Sequence, residues 1–106
     1  MIIHNKNITA VPCEPGVMRK VLAYDQNLMM CEVIFEKDAI GSLHSHPHGQ
    51  ITYVAVGTFA FTVNGETTIV GAGDSILIPS EAAHGVKALE KGILIDVFSP
   101  MRKDFV

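Results

Sequence analysis

The residues best suited to chemistry lie in His44-Ser45-His46-Pro47-His48-Gly49-Gln50, with His84 following downstream of Pro79. In an extended strand alternate side chains share a face, so His44 and His46 point the same way. Gln50 follows the bend at Pro47 and opens an apolar run, which lets it return to the same cavity. Imidazoles and an amide converging from two strand pairs would make a transition-metal site. All four donors are neutral, so a bound dication keeps its full charge. It is then a stronger Lewis acid and a better anchor for an anion, and a poorer support for a higher oxidation state. Ni, Zn, Mn, Co or Fe(II) suits this donor set, and an octahedral ion would keep two positions open for a chelating substrate or water. The alternative is a scatter of polar histidines on a sheet surface. His48, in the bend between the donors, fits a place behind the ligands or at the surface better than coordination. His4 lies apart near the N-terminus.

A second polar group interrupts the last apolar run, Ile93-Leu94-Ile95-Asp96-Val97-Phe98. By alternation Leu94, Asp96 and Phe98 share one face. If that face lines the cavity, Asp96 is a carboxylate near a dication, suited to proton transfer. If it faces outward, Asp96 is a solvated residue of an edge strand. Spacing leaves both readings open. Arg102 has the fork geometry to clamp a carboxylate, or is simply solvated in the tail.

The elements that must position these groups are strands. Turn signals recur at short intervals, and the segments between them are rich in Val, Ile, Thr and Phe, which indicates an all-β chain. Strands are expected at 18–24, 28–36, 42–46, 50–56, 58–63, 66–70, 75–78, 84–89 and 93–98. Asn64-Gly65 tolerates the positive φ of a two-residue hairpin turn, and it is the strongest local signal. Pro12 and Pro15-Gly16 indicate an irregular lead-in over residues 1–17. The core occupies about 18–99, and the tail 100–106 begins at a strand breaker and ends apolar, so it should pack back on the barrel. With 106 residues, the chain reads as a single domain. Ile51–Val56 is apolar on both alternating faces, with Ile51, Tyr53 and Ala55 on one and Val54 and Val56 on the other, so one face should meet the barrel core and the other needs a further cover. A second copy of the chain is the favoured cover, giving a homodimer; the N-terminal residues folding over that face are the alternative.

Composition excludes several classes of function. The net charge is −3 without a basic cluster, which argues against nucleic-acid binding by phosphate neutralisation. No apolar run is long enough to span a bilayer. The N-terminus lacks the pattern of a signal peptide. The two cysteines, Cys13 and Cys31, have neither zinc-finger nor disulfide-framework spacing. A cytoplasmic protein is expected, with Cys31 a small buried thiol.

The spacing His44–His46–Gln50–Gly57, followed by Gly73, Pro79 and His84, resembles the two motifs of the cupin superfamily. Departures from that pattern are Gln50 for the usual Glu, Glu81 for the usual Gly, Ala88 for the usual closing Asn, and an opening Gly41 closer than usual. The resemblance implies a small jelly-roll-like barrel, the double-stranded β-helix, with one metal held by His44, His46, Gln50 and His84. Arg19–Tyr24, Leu28–Met30 and above all Leu94–Phe105 look like the small cupins of pectin and alginate breakdown, the KdgF type. That likeness implies metal-dependent ring opening of 4,5-unsaturated monouronates to the linear keto sugar acid. Asp96, Phe98 and Arg102 would be the catalytic or substrate-binding positions, and the partner a small anionic sugar. A non-catalytic cupin that anchors a sugar or other ligand on the metal, and a metal-dependent dioxygenase, are the competing readings.

Overall fold

The computed structural model describes residues 1–106. Ten strands follow one another: β1 Val11–Glu14, β2 Val17–Tyr24, β3 Met29–Phe35, β4 Ile40–His44, β5 Gly49–Val56, β6 Thr58–Val63, β7 Glu66–Gly71, β8 Ser75–Ile78, β9 His84–Ala88 and β10 Gly92–Ser99. They form two sheets, ordered β1-β2-β3-β10-β5-β8 and β4-β9-β6-β7. Every pairing is antiparallel. The sheets face each other as a flattened barrel.

Hydrophobic alternation sets the layering. Thr52 and Val54 of β5 are buried while Ile51, Tyr53 and Ala55 are exposed, the period-two signature of a sheet with one inner face. Val17, Phe35, Val54, Phe59, Phe61, Ile78 and Leu94 fill the space between the sheets. Phe35 and Phe59 meet edge to face, their centroids 5.3 Å apart. A smaller cluster of Met29, Cys31 and Phe98 lies beside it, backed by Val21, Met101 and Phe105. Cys31 is the buried thiol expected of it, and burial, with the nearby Asp96 carboxylate second, pushes its pKa up to about 12.

Asn64 and Gly65 both take positive φ, 49° and 82°, and close the β6–β7 hairpin as expected. Gly57, at φ 92°, permits another close approach: a Cβ there would lie 2.8 Å from the Lys91 carbonyl.

The lead-in is more ordered than its prolines suggest. Residues 11–14 form β1, with Pro12 on the outermost strand, where a missing N–H is tolerated. Pro15-Gly16 supplies the turn into β2, Gly16 at φ 75°. Farther upstream a short 3-10 turn, Asn5–Asn7, crosses the outside of the sheet. Asn5 accepts from Lys20 at 2.8 Å and donates to Glu32 at 3.0 Å. This tethers the N-terminus over β2 and β3 and leaves Ile51, Tyr53 and Leu77 exposed. At the other end, Lys103–Phe105 makes a second 3-10 turn that returns Phe105 to the wall of the central cavity. No helix is long and apolar enough to cross a membrane.

Candidate metal centre

Sheet register brings the polar residues to one end of the barrel. Across the inner face of the larger sheet, Cys31 pairs with Asp96 and Asp96 with Thr52. In the next row Met29 pairs with Phe98 and Phe98 with Gln50. On the opposite sheet His44 pairs directly with His84. That pairing depends on a bulge: Gly41 pairs with Val86, so two residues of β4 separate the paired positions where β9 has only one. An extra residue of this kind turns the following side chain, and here it sets His44 against His84. Gly41 makes the approach possible, since a Cβ there would meet Val86 Cγ1 at 2.9 Å. His46 lies beyond the end of β4 rather than on it, so the bend, not simple alternation, carries its ring into the site.

The three imidazoles are mutually packed. Ring centroids are 4.4 Å apart for His44 and His84, 4.9 Å for His46 and His84, and 5.5 Å for His44 and His46. One ligand atom from each lies within 4.8 Å of the others, so these three could hold a metal ion. Each Nδ1 faces a backbone carbonyl: Ser42 at 2.7 Å, His48 at 3.0 Å and Ala82 at 2.9 Å from His44, His46 and His84 respectively. A neutral ring that donates from Nδ1 presents a bare lone pair at Nε2. Burial is the main cause holding the pKa of His46 and of His84 below the ordinary imidazole value, so both stay neutral near pH 7.

Gln50 makes the arrangement specific. Its Nε2 donates to Thr52 Oγ1 at 2.9 Å, and the Thr52 hydroxyl donates to Asp96 Oδ1 at 2.6 Å. An ionised carboxylate can only accept, which fixes the polarity of the chain. The Gln50 carbonyl oxygen is therefore turned toward His46, with Oε1 3.0 Å from Nε2. Two lone pairs face each other there inside the protein. A cation between them resolves the repulsion, and in this respect the donor set fits a divalent metal.

Beside the imidazoles opens a cavity of about 300 Å³, lined by His44, Gln50, His84, Asp96, Phe98 and Arg102 among others. Asp96 thus faces inward, the first of the two readings its spacing allowed. Burial raises its pKa, and the hydrogen bonds from Thr52 and Gln50 work against that rise. Phe98 is buried, with its ring 5.8 Å from that of His46. Arg102 closes the mouth, its guanidinium carbon 4.3 Å from the Phe105 ring centroid. It is forked onto Asp104, through Nε at 3.1 Å and Nη2 at 2.9 Å.

His48 packs its ring against His46, with a buried Nδ1 that has no partner, and it is not one of the clustered ligands. Tyr53 is exposed on the outer face, away from the cavity. Thr52, the residue that links the amide to the carboxylate, was not singled out by the sequence. Its one signal was parity: Gln50, Thr52 and Val54 alternate on a single face.

A cupin domain family model matches residues 31–98. Pectin degradation protein KdgF of Dickeya dadantii is 45% identical over 93 residues, covering 86% of this chain and 84% of that protein. Among solved structures, KdgF from a Halomonas species superposes with a TM-score of 0.96 at 36% identity, covering 100% of this chain and 98% of that one. An RmlC-like cupin from Shewanella frigidimarina gives the same score and identity, covering 99% and 95%.

Proposed function

The chain belongs to the cupin family, within the group of pectin degradation protein KdgF, and on that premise we propose that it opens the ring of 4,5-unsaturated monouronates. The product is the linear keto sugar acid. The observation that carries this reading is the hydrogen-bonded chain Gln50–Thr52–Asp96, which joins a metal-binding donor set to a recessed carboxylate in one cavity.

The substrate is a cyclic enol ether with a hemiacetal at C1. Opening it requires loss of the C1 hydroxyl proton, cleavage of the bond between C1 and the ring oxygen, and delivery of a proton to C4. The electron pair released at O1 becomes the aldehyde carbonyl, and the pair of the broken bond becomes an enolate that C4 protonation converts to a ketone. The reaction neither consumes nor yields electrons. His44, His46, Gln50 and His84 would hold the ion, which when bound supplies a Lewis acid for the substrate's oxygens. Asp96 carries the proton from O1 to C4, its raised pKa making it a better base than a solvated carboxylate. Thr52 holds that carboxylate in place. Phe98 forms the wall against which the sugar ring lies, and Arg102 binds the anionic end of the substrate at the mouth through the guanidinium edge that Asp104 leaves free.

The test mixes the protein with unsaturated galacturonate, or with the unsaturated monouronate from alginate, with and without a chelator. Metal-dependent loss of the conjugated-alkene absorbance supports ring opening. Oxygen uptake would indicate a dioxygenase, and binding without chemical change a ligand-anchoring cupin; either result would refute the proposal. The same reading includes a homodimer formed over Ile51 and Tyr53, which are about half exposed in the single chain, 51% and 48%. Sedimentation giving a monomer at micromolar concentration would remove that part.

A further inference from the structure

Arg19 enters the same cavity from β2 and takes no part in the machinery above. Its row across the inner face is Arg19, Val33, Leu94 and Val54, so it is the one charged group in a line otherwise apolar. The guanidinium carbon lies 3.6 Å from the centroid of the Phe105 ring. Arg102 sits near the same ring, so Phe105 carries two guanidinium groups. The two cations differ in one respect. Arg102 is committed to Asp104, whereas the ion pairs of the chain are Lys91–Glu36 and Arg102–Asp104, and Arg19 belongs to neither. Nor does Arg19 donate to any other side chain. The other cavity carboxylates are engaged: Glu14 accepts from the Ser42 amide at 3.1 Å and from its hydroxyl at 3.2 Å, and Asp96 from Thr52. The only buried side-chain polar atom without a partner is His48 Nδ1, so the Arg19 N–H groups remain open to the cavity rather than sealed in the wall.

A half-buried guanidinium that sits over an aromatic ring, and is free of carboxylate, is arranged to receive a planar anion from the cavity. We infer that Arg19 is a second carboxylate-recognition residue of this cavity, acting with Arg102 to select sugar acids over neutral sugars, with Phe105 holding its guanidinium in place. The inference rests on the proposed uronate reading for its substrate, while recognition of the carboxylate can be measured without turnover. Arg19 is a specificity residue rather than a catalytic one. It acts equally on the bound substrate and on the transition state, so its removal should appear in KM and not in kcat.

The experiment uses the full-length, metal-loaded protein with Arg19→Gln and Arg19→Lys. By calorimetry or ligand-observed NMR, the parent should bind D-galacturonate more tightly than D-galactose. Arg19→Gln should lose about 10- to 100-fold of galacturonate affinity, the range of a lost charge-assisted pair, with galactose unaffected. Arg19→Lys should recover part of the preference, because it keeps the charge and loses the fork. With unsaturated uronate, KM for Arg19→Gln should rise by the same factor while kcat stays within about threefold. Metal content and Tm, measured on both variants, should match the parent. If the parent shows no preference for galacturonate, or if correctly folded Arg19→Gln keeps it undiminished, the inference is overturned. Should Arg19→Gln not fold, Arg19→Lys decides alone: undiminished galacturonate affinity overturns the assignment to the guanidinium fork. A parent that prefers galacturonate but does not open the ring, with Arg19→Gln losing that preference, would sink the proposed reaction and uphold Arg19.

Discussion

Replacing Thr52 with valine removes one hydroxyl and almost no volume, and the consequences can be worked from the contacts it makes. Thr52 is fully buried. Its hydroxyl donates to Asp96 at 2.6 Å and accepts from Gln50 Nε2 at 2.9 Å. Valine deletes a charge-assisted hydrogen bond, worth about 1.5–3 kcal/mol, and strands a buried amide donor at about 1–3 kcal/mol. A net loss of about 3 kcal/mol follows, which for a domain of this size lowers Tm by roughly 12–24 °C. The second effect is more diagnostic. Without Thr52 nothing holds the Gln50 carbonyl toward His46, and metal affinity should fall about 10- to 100-fold, as when a partner behind a ligand is removed. Thermal melts and calorimetric metal titration read the two effects, and Thr52→Ser, which keeps the hydroxyl, should restore the affinity. A Thr52→Val protein with the parent's Tm and the parent's metal affinity would show that the polarity chain does not organise the site.

Other substitutions and conditions test separate parts of the account. Asp96→Asn should cut turnover by about 10²- to 10⁴-fold with metal content intact, and near-normal turnover would remove Asp96 from proton transfer. Glu81 occupies the left-handed region at φ 68° while its amide donates to the His46 carbonyl at 2.8 Å. Glu81→Gly should raise stability by about 0.5–1 kcal/mol, because relief of the strained φ outweighs the added chain entropy; a lower Tm would contradict this. Metal binding should weaken as pH falls. The folded pKa values of His46 and His84 are depressed, so these two rings stay neutral below the ordinary imidazole pKa of about 6.5, and proton competition for them sets in only at more acid pH. An affinity that shows no fall at any acid pH at which the protein stays folded would exclude imidazole ligation.

The strands were legible because this chain obeys local rules: segments rich in Val, Ile, Thr and Phe between turn signals marked β5 and β10, and Asn64-Gly65 marked the tightest turn. The missed strand, Val11–Glu14, was hidden by Pro12, which reads as a breaker until the strand is known to be an outermost one. The histidines and Gln50 could be found from spacing, but the means of their convergence could not. A bulge between Gly41 and His44 and a bend beyond β4 do what simple alternation was expected to do. Glu81 takes the backbone conformation expected of the glycine it replaces, so the turn survives the substitution with a strained residue in it. Asp96 was undecidable from period alone, because the face it lies on depends on which sheet covers β10. Arg19 lay in a segment that resembled the family but had no readable orientation, since a strand with Met18, Lys20 and Leu22 on one parity and Arg19, Val21 and Ala23 on the other does not declare its inner face. Only the pairing of Arg19 with Val33 does so.

Metal analysis of the purified protein, paired with the Gln50→Ala and His84→Ala variants, decides whether these side chains hold an ion. The donor geometry predicts one divalent ion per chain in the parent, removable by chelator and restored by a single added equivalent together with ring-opening activity. His84→Ala should lose the ion and Gln50→Ala should hold it more weakly. A parent that takes up no divalent ion, or that opens unsaturated uronates at the same rate after exhaustive chelation, would contradict the account.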